Sequence, residues 1–377
     1  MNLEKKAINL HQRYQGKLET ASKIPLRNLK DLSLIYTPGV AAVSSIIAKD
    51  KKQAQKLTWK GNAIAVISDG SAVLGLGNIG PEAALAVMEG KCVIFKEFAD
   101  IDAIPLVLNT QEPEKIIETV KIIAPGFGGI NLEDISAPRC FEIEERLKKE
   151  LDIPIMHDDQ HGTAIVVLAA LINAAKVVKK KLQGLKIVIS GAGPAGTATA
   201  KLLLKAGMRN ITVVDSKGII STKRRDIPQY KKELARLTNP QKLAGKFNNA
   251  IRGTDVFIGL SRGNVFFPSD IKMMAESPIV LAMANPIPEI MPDIAKKAGA
   301  AVVATGRSDF PNQINNALVF PGVFRGALDH QVRQITDKMK IRAAYAIAGL
   351  IKKPNSRHII PSIFDKRLVK TVAKAIY

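Results

Sequence analysis

Three carboxylate side chains follow two apolar runs of strand length. Glu133 and Asp134 come directly after GGINL, and Asp159 lies in HDDQHGT, just after IPIM. Open α/β sheets bind their ligands at the carboxyl ends of the strands, so we expect these acids to converge. Oxygen ligands without cysteine favour Mg²⁺ or Mn²⁺. The sequence therefore predicts a divalent-metal site formed by Glu133, Asp134 and Asp159.

A helix-capping role is the alternative for two of these acids. Glu133 and Asp134 could cap a helix that begins near Pro138, because acidic side chains are frequent N-caps. Adjacent acids flanked by histidines, as in HDDQHGT, are nevertheless costly to hold together without a metal or a catalytic role. We therefore favour the metal site.

The histidines of HDDQHGT also fit part of an iron site. The letters H-x-D at 157–159 belong to the two-histidine, one-carboxylate site of non-haem iron oxygenases. That chemistry usually occurs on a β-rich scaffold, whereas this chain alternates β and α patterns. We instead expect His157 and His161 to be hydrogen-bonding partners in the loop, and Thr163 to cap a helix over residues 164–178.

A glycine-rich turn, GAGPAG, stands between the strand-like run KIVIS and a helical pattern over residues 194–205. In such a turn the first glycine permits the bend, the second lets the backbone approach a pyrophosphate, and the third allows close packing of helix and strand. The helix N-terminus attracts the phosphates. We predict that a nicotinamide dinucleotide is bound by Gly191, Gly193, Pro194, Ala195 and Gly196.

The choice between NAD and NADP depends on the next strand. ITVVD ends in Asp215, and an acid at this place can accept hydrogen bonds from the ribose hydroxyls and repels a 2′-phosphate. Asp215 therefore favours NAD. Lys217 and the basic run 223–225 are close enough in sequence to offer NADP a counter-charge.

A second glycine pattern, Gly75, Gly77 and Gly80, has a weaker context. It lies several residues beyond a strand-like run, and Pro81 then opens a helical pattern. A simple turn with proline at the first helical position and a substrate-binding loop are both consistent with it.

These residues are positioned by a chain that alternates strand-length and helix-length patterns. This alternation predicts an α/β fold with parallel, doubly wound sheets. We place an N-terminal substrate and catalytic domain at 1–160 and a Rossmann-like dinucleotide-binding domain at 161–377, with a helical segment from about 329. The predicted C-terminal helices cover 329–352 and 364–377. The predicted strands are 63–68, 104–108, 130–132, 153–156, 186–190, 211–214, 256–260, 279–284 and 301–304.

Composition limits the class of protein. With 377 residues, two domains are the natural expectation. The two cysteines, Cys92 and Cys140, are too few for a disulfide framework and indicate a reducing compartment. The first twenty residues have no signal-peptide core, and the apolar stretch 164–172 is too short to span a bilayer. We therefore expect a cytoplasmic protein with no membrane partner.

The net charge of +21 raises the question of a nucleic-acid partner. The basic clusters are short and scattered, and no zinc finger or RNA-recognition signature accompanies them. We expect no nucleic acid to bind. A basic surface would instead concentrate anionic substrates and cofactors.

Taken together, the motifs resemble the malic enzymes in their short, bacterial-type form. The resemblance runs along nearly the whole chain. It is carried by IYTPGVA (35–41), SDGSAVLGLGNIGPEAALAVMEGK (68–91), FKEFADIDA (95–103), NLED (131–134), HDDQHGTA (157–164), GAGPAG (191–196), ANP (284–286) and NNALVFPG (315–322).

The resemblance implies an activity and roles for individual residues. The activity is oxidative decarboxylation of (S)-malate to pyruvate and CO₂, with reduction of NAD or NADP and dependence on a divalent metal. The resemblance also implies a homodimer. Lys91 would be the general base, Tyr36 the general acid, and Asp158 a neighbour of the base. Asn285 would contact the cofactor or malate, and Asn316 would contact malate.

A lysine that acts as a base needs a pKa below its ordinary value of about 10.4. We expect burial or cationic neighbours, the metal among them, to lower the pKa of Lys91. Two enzyme classes remain open from the residues alone. The alternative is a metal-independent amino-acid dehydrogenase, which also combines a catalytic lysine with a GAGxxG domain.

The chain departs from the family pattern in two places. Asp100 stands in FADIDA where the family more often has glycine, and it could add an acid near the site. Larger animal-type members have a substrate-binding arginine where this chain has Ser71 and Ala72. The group that anchors the second malate carboxylate is therefore not identified by the motif.

Overall fold

The fold contains two parallel sheets, as seen in a computed structural model that describes residues 2–73 and 75–377. The first sheet has four parallel strands in the order β2-β1-β3-β4. Its strands are β1 (Ala63–Ser68), β2 (Asp102–Val107), β3 (Gly129–Leu132) and β4 (Ile155–His157).

The second sheet has six strands in the order β10-β9-β8-β5-β6-β7, and the strand order reverses between β5 and β8. All neighbours are parallel except β7, which pairs antiparallel with β6 at the edge. The strands are β5 (Ile187–Ser190), β6 (Ile211–Asp215), β7 (Gly218–Ile219), β8 (Val256–Gly259), β9 (Ile279–Ala282) and β10 (Val302–Thr305).

Helices connect the strands and extend beyond them at both ends of the chain. In chain order they are α1 (Leu3–Tyr14), α2 (Leu29–Ile35), α3 (Val40–Lys49), α4 (Ala54–Leu57), α5 (Pro81–Ala99), α6 (Pro113–Ile123), α7 (Arg139–Glu150), α8 (Asp158–Val177), α9 (Pro194–Lys205), α10 (Gln229–Leu237), α11 (Phe247–Ile251), α12 (Pro268–Met273), α13 (Pro292–Lys297), α14 (Phe320–Asp329), α15 (Asp337–Gly349) and α16 (Leu368–Ala373).

The predicted α/β class with a Rossmann-like sheet is confirmed, and each of the predicted strand segments overlaps an observed strand. Strand β7 was not among the predicted strands. This strand has two residues, so it is too short to show a period of two in the sequence.

Helix α8 begins earlier than predicted. We expected a start at residue 164 with Thr163 as a cap, but the helix starts at Asp158. Asp158 and Asp159 therefore occupy its first turn, where negative side chains interact favourably with the helix dipole. Thr163 lies inside the helix and caps nothing. The prediction of a loop at this place was wrong.

The C-terminal helices also differ from the prediction. The helix expected at 329–352 is the shorter α15, and residue 329 instead ends α14. Thr336 starts α15, because its hydroxyl accepts a hydrogen bond from the backbone N–H of Met339. The helix expected at 364–377 is the shorter α16. Helix α14 packs on α5, where the rings of Phe95 and Phe320 lie 4.7 Å apart.

One hydrophobic core joins the two sheets. Alternate residues of β1 and β5, such as Ile64 and Ile187, face the same cluster, and α8 lies within it. Nearly the whole length of α8 is buried, which explains its apolar sequence on all sides. The opposite faces of the two sheets belong to separate clusters.

The N-terminal arm, residues 2–57, differs from the rest of the chain because none of its residues is buried. Two helical segments are long and apolar enough to span a bilayer by length and composition. One is Leu29–Lys49 in the arm, which is entirely unburied. The other is Asp158–Val177, of which 78% is buried inside the protein.

The turn after β5 offers a test of the fold at the predicted dinucleotide site. A Cβ atom on Gly196 would lie 1.9 Å from the carbonyl oxygen of Gly191, whereas one on Gly193 would meet nothing within 4 Å. We expect Gly196→Val to lower the free energy of unfolding by about 1–3 kcal/mol or more through overpacking. Gly193→Ala should leave stability unchanged. Chemical denaturation of both variants measures this, and equal stabilities would contradict the predicted packing.

Candidate active site

The three acids predicted to bind a metal lie together at the carboxyl edge of the first sheet. Glu133 and Asp134 follow β3, and Asp159 follows β4, which pairs with β3. One carboxylate oxygen from each residue lies within 4.8 Å of the others. The Asp159 carboxylate also accepts a hydrogen bond from the backbone N–H of Asp134 at 2.9 Å. The geometry thus brings these residues together as the sequence suggested.

The capping alternative is not supported by the helix that follows. Helix α7 begins at Arg139, its N-cap is Pro138, and no side chain caps it. Glu133 and Asp134 are nearly fully buried and belong to the cluster instead.

The electrostatics of the cluster fit a cation. Burial raises the pKa of Glu133 well above its ordinary value, and the neighbouring charge of Asp159 raises it further. Burial and the charge of Asp159 likewise raise the pKa of Asp134 to about 8. Among the described residues, the buried oxygen Oδ1 of Asp158 has no hydrogen-bond partner. An all-oxygen donor set of three carboxylates suits Mg²⁺ or Mn²⁺.

Lys91 completes the cluster from helix α5. Its ammonium donates to Asp158 Oδ2 at 2.7 Å and lies 2.9 Å from Glu133 Oε1. The same nitrogen lies 4.3 Å from the centroid of the Phe320 ring. Lys91 sits on the buried face of α5, together with Met88 and other core residues. A lysine at a core position of an amphipathic helix is a candidate for function, because burial of the charge is costly without partners.

The pKa of Lys91 is opposite in direction to our expectation. Burial by itself lowers it, but the negative charges of Asp158 and Glu133 outweigh burial and raise the pKa above its ordinary value. The expected cationic neighbours are not present among the described contacts of the ammonium, and two carboxylates contact it instead. With these two carboxylates in contact, the charged ammonium form of Lys91 is favoured.

A cavity of about 220 Å³ joins this cluster to the second sheet. Its lining combines residues from the metal cluster, the dinucleotide turn and two predicted substrate contacts. They are Asp159, Pro194, Ala195, Asn285 and Asn316, together with neighbours such as Ala72 and Leu260. Residues predicted for three roles, and far apart in sequence, thus face one space of the size of a small ligand.

The dinucleotide turn has the geometry expected of a phosphate-binding helix start. Gly191 has a φ of +116°, Gly193 is the N-cap of α9, and Pro194 occupies the first turn. No side chain caps α9, so its first backbone N–H groups are open to an anion. The first turn of α9 also follows β5, next to the point where strand order reverses.

The weaker glycine pattern forms the simple turn that was one of its two interpretations, and a role in substrate binding stays a prediction. Gly80 precedes Pro81 as the N-cap of α5, which is the expected simple turn. A Cβ atom on Gly75 would lie 2.9 Å from the ring of Pro286. This loop therefore packs against the segment that carries Asn285.

Asp215 lies at the end of β6, as predicted, but its carboxylate is already paired. Arg224 Nη1 donates to Oδ1 at 2.7 Å, and Lys231 Nζ donates to Oδ2 at 2.8 Å. Burial alone would raise the pKa of Asp215, but these two donors hold it below its ordinary value. The group expected to contact ribose is therefore a member of a charged cluster.

Glu144 was missed by the sequence analysis. Its buried carboxylate accepts hydrogen bonds from the backbone N–H of His157 at 3.0 Å and from Gln160 at 3.2 Å. It also accepts from His161 Nε2 at 2.9 Å, while His161 Nδ1 accepts from Lys340 at 3.0 Å. Burial alone would raise the pKa of Glu144, but these neighbours and Lys148 hold it well below its ordinary value. Glu144 thus fixes the segment that carries Asp158 and Asp159.

A signal for Glu144 was present in the sequence. It lies on the same face of α7 as Cys140, Ile143 and Leu147, all of which are buried. An acid on the apolar stripe of an amphipathic helix is unusual, and it indicates a buried partner.

The two histidines behave differently from one another. His161 makes the hydrogen bonds that we expected, and burial lowers its pKa to about 3, so the ring is neutral. His157 is fully buried, and neither ring nitrogen makes a hydrogen bond among the described residues, so the expectation for His157 was wrong. Its Nδ1 lies 3.9 Å from Oδ2 of Asp159. Both residues belong to β4 and α8 rather than to a loop.

Tyr36 is not brought to this cluster within the chain. It is the C-cap of α2 in the N-terminal arm and is 65% exposed.

Asp100 also lies outside the site: it ends α5 with a φ of +49°, is 85% exposed and pairs with Lys96. The positive φ explains why glycine suits this position. Ser71 instead supports the acids, because its hydroxyl accepts a hydrogen bond from the backbone N–H of Ser136.

Comparison with known proteins gives the same assignment along both halves of the chain. Residues 15–148 match the malic enzyme N-terminal domain, and residues 160–377 match the malic enzyme NAD-binding domain. A Geobacillus stearothermophilus protein named NAD-dependent malic enzyme is 56% identical over 96% of this chain and 76% of its own length. A Bacillus subtilis bifunctional malic/malolactic enzyme is 53% identical over 100% of this chain and 92% of its own.

Solved structures agree. A crystal structure of an NAD-dependent malic enzyme from Thermotoga maritima has a TM-score of 0.96 and 49% identity, and the similarity covers 98% of each chain. Other curated relatives are named NADP-dependent malic enzymes.

The buried Glu144 allows a test of how the acids are held. We expect Glu144→Gln to weaken Mn²⁺ binding about 10- to 100-fold, as removal of a group that orients metal ligands commonly does. Glu145→Gln is the matched control, since Glu145 is exposed on the same helix and its one ion pair among the described residues is with Lys149. Electron paramagnetic resonance titration of free Mn²⁺ measures the affinity. Equal affinities in the two variants would show that Glu144 does not position the site.

Proposed function

Because the chain belongs to the malic enzyme family, we propose that it catalyses the oxidative decarboxylation of (S)-malate to pyruvate and CO₂ with reduction of NAD or NADP. This is the reaction of the family, and the chain is an NAD(P)-dependent oxidoreductase that uses a divalent metal. One observation supports the proposal most directly. The buried Lys91 contacts the acid cluster, and that cluster shares a cavity with the dinucleotide turn.

We assign the metal to Glu133, Asp134 and Asp159, whose oxygens lie within 4.8 Å of one another. A divalent cation held by these three acids would lower the pKa of the malate hydroxyl and stabilise the negative charge of the enolate. The proton transfers of the reaction are assigned to side chains of the protein.

Lys91 is assigned the role of general base. Its Nζ atom lies beside Glu133, so it is placed to take the proton of a hydroxyl bound next to the metal acids. Asp158 accepts the other hydrogen bond of the ammonium and orients it, and Gly162 makes room for this carboxylate. Tyr36 is assigned the protonation of the enol at C3 after CO₂ has left.

The dinucleotide is assigned to the turn 191–196, with Asp215 at the ribose. Asn285 and Asn316 line the same cavity as Asp159 of the acid cluster and Pro194 of the glycine turn, which supports roles for both between cofactor and metal. We assign Asn285 to the cofactor or malate, and Asn316 to malate. We also propose that the substrate domain ends near residue 160 and that the enzyme acts in the cytoplasm.

The alternative of a metal-independent amino-acid dehydrogenase is not favoured. Such an enzyme has no use for three converging acids, two of them nearly fully buried, which are costly without a cation. The relatives also carry the name malic enzyme.

The reaction itself is the first test. Purified protein with malate and Mn²⁺ should reduce NAD or NADP and release pyruvate, and EDTA should abolish turnover. Lys91→Arg keeps the charge but not the base, so kcat should fall about 10²- to 10⁴-fold. Mn²⁺ affinity should change much less, which serves as the control for folding. No malate turnover with either nucleotide, or full activity in EDTA, would refute the assignment.

The N-terminal arm and its residue Tyr36 support a further part of the proposal. The enzyme is a homodimer in which each active site contains residues of both subunits. The arm has no buried residue, yet it exposes large apolar side chains, among them Leu29, Leu34 and Ile46. Exposed apolar surface of this kind marks an interaction site. Short helices also need packing to be stable.

We propose that a second copy of the chain covers the arm and receives Tyr36. The arm is tethered to its own subunit at its base, where Lys17 donates to the carbonyl of Ala86 and Lys23 pairs with Asp102. Tyr36 lies beyond these tethers, and no described hydrogen bond involves its hydroxyl. A twofold dimer would supply each Lys91 cluster with the Tyr36 of the partner.

Heterodimers with two different tags can test the shared site. One subunit carries Tyr36→Phe and the other carries Lys91→Arg. If Tyr36 acts across the interface, one site of the two is intact, and we expect about half of the wild-type kcat. The matched control pairs a wild-type subunit with a Tyr36→Phe/Lys91→Arg subunit, which should be nearly inactive. The reverse result, with activity only in the control pair, would place Tyr36 in its own subunit.

A further inference from the structure

Glu289 is a buried acid that the proposed reaction does not use. It lies between β9 and α13 and is fully buried. Its Oε1 atom accepts a hydrogen bond from the backbone N–H of Ser261 at 3.1 Å, and its Oε2 atom accepts one from the backbone N–H of Ala284 at 3.0 Å. Burial alone raises the pKa of Glu289, and these N–H donors oppose that rise. The acid therefore joins two loops of the second sheet, and no described ion pair includes its carboxylate.

The two loops form part of the wall of the cavity of about 220 Å³. Ser261 lies in the loop that follows β8, and Ala284 and Asn285 lie in the loop that follows β9. Strands β8 and β9 are parallel neighbours, so both loops lie at the carboxyl edge of the sheet, where open α/β sheets bind their ligands. Glu289 does not line the cavity itself, but its carboxylate fixes the spacing of two loops that do.

The Glu289 side chain is held in place by the segments around it. A Cβ atom on Gly259, the last residue of β8, would overlap the carboxylate, so the end of this strand and the acid are in close contact. The backbone carbonyl of Glu289 also accepts hydrogen bonds from the N–H groups of Val265 and Phe266, both at 3.1 Å. The carboxylate is therefore a fixed acceptor for the two loops.

We propose that Glu289 is a positioning residue for the nicotinamide end of the cofactor. Through Ser261 and Ala284 it holds the cavity wall at the spacing that lets Asn285 reach a bound ligand. This inference rests on the proposed function, because it presumes that cofactor and malate meet in this cavity. Glu289 touches neither of them and transfers no proton.

An amide in place of the carboxylate separates this role from the size of the side chain. Glutamine has nearly the shape of glutamate, but its amide has one acceptor oxygen and an NH₂ group that only donates. The backbone N–H of Ser261 or that of Ala284 would then face a donor in the interior. A buried donor without an acceptor is unfavourable, so we expect that loop to move. Aspartate keeps both acceptor oxygens on a shorter side chain.

Steady-state kinetics with malate, Mn²⁺ and the nucleotide that wild-type protein reduces test the proposal. A displacement of about 1 Å near the reacting groups can cost about 100-fold in rate, so we expect Glu289→Gln to lower kcat/KM for the nucleotide about 10- to 100-fold. Glu289→Asp should recover part of this loss. Glu276→Gln is the matched control and should have wild-type kinetics, because Glu276 is exposed between α12 and β9 and belongs to no described ion pair.

Titration of Mn²⁺ by electron paramagnetic resonance, without nucleotide, separates positioning from a general loss of structure. The acid cluster lies on the first sheet, so Mn²⁺ affinity should be the same in all four proteins. Three results would overturn the inference: wild-type kcat/KM in Glu289→Gln, a parallel loss of Mn²⁺ affinity in that variant, or Glu289→Asp no more active than Glu289→Gln. In each of these cases wild-type protein still turns over malate. Absence of wild-type turnover would instead refute the proposed function, and the inference with it.

Discussion

The site depends on a buried lysine between two carboxylates. Lys91, Asp158 and Glu133 come from α5, α8 and the end of β3, and each is almost fully buried. Removing one partner from such a set leaves an uncompensated charge in the interior, which costs about 3–5 kcal/mol. The fold must therefore bring α5, α8 and the end of β3 together at one place. In the strand order β2-β1-β3-β4, strands β3 and β4 are parallel neighbours, so their carboxyl ends lie side by side next to the first turn of α8.

Helix α8 connects that requirement to the cofactor. Its first turn carries the acids, and its body lies in the core shared by the two sheets. Its neighbour α9 begins at the glycine turn, so the metal acids and the dinucleotide phosphates are positioned by adjacent helices. Glu144 and Lys340 add polar contacts from α7 and α15, through His161, to the same first turn. A small cavity between these elements is the result.

Much of this arrangement could be predicted because it follows local rules. The strand segments are apolar runs, and the helix from Pro194 to Lys205 has the predicted bounds because glycine and proline mark its start. The acids were found because parallel strands end at a common edge. Lys91 and Tyr36 were identified only through the motif resemblance. The contacts of Lys91 could not be predicted, since the two carboxylates beside its ammonium lie on other elements, far along the chain.

The rest of the site depends on contacts between distant segments. The pairing of Asp215 with Lys231, and of Glu144 with His161, joins residues on different elements, and no local pattern encodes such pairs. The start of α8 was predicted too late because adjacent acids with a glycine resemble a loop, whereas the helix dipole and the buried partners stabilise them in a first turn. Tyr36 is the clearest example, because its hydroxyl makes no hydrogen bond to its own chain among the described contacts.

The core shared through α8 bears on how the molecule melts. The sequence divides into two regions, each with its own sheet, and a two-step thermal transition would be the natural picture for independent domains. However, Ile64 of β1 and Ile187 of β5 belong to one continuous cluster, with α8 between them. Unfolding either sheet would expose apolar surface of the other. The two sheets and α8 should therefore unfold as one cooperative unit. On heating, the acid cluster and the dinucleotide turn should lose their structure in the same single transition.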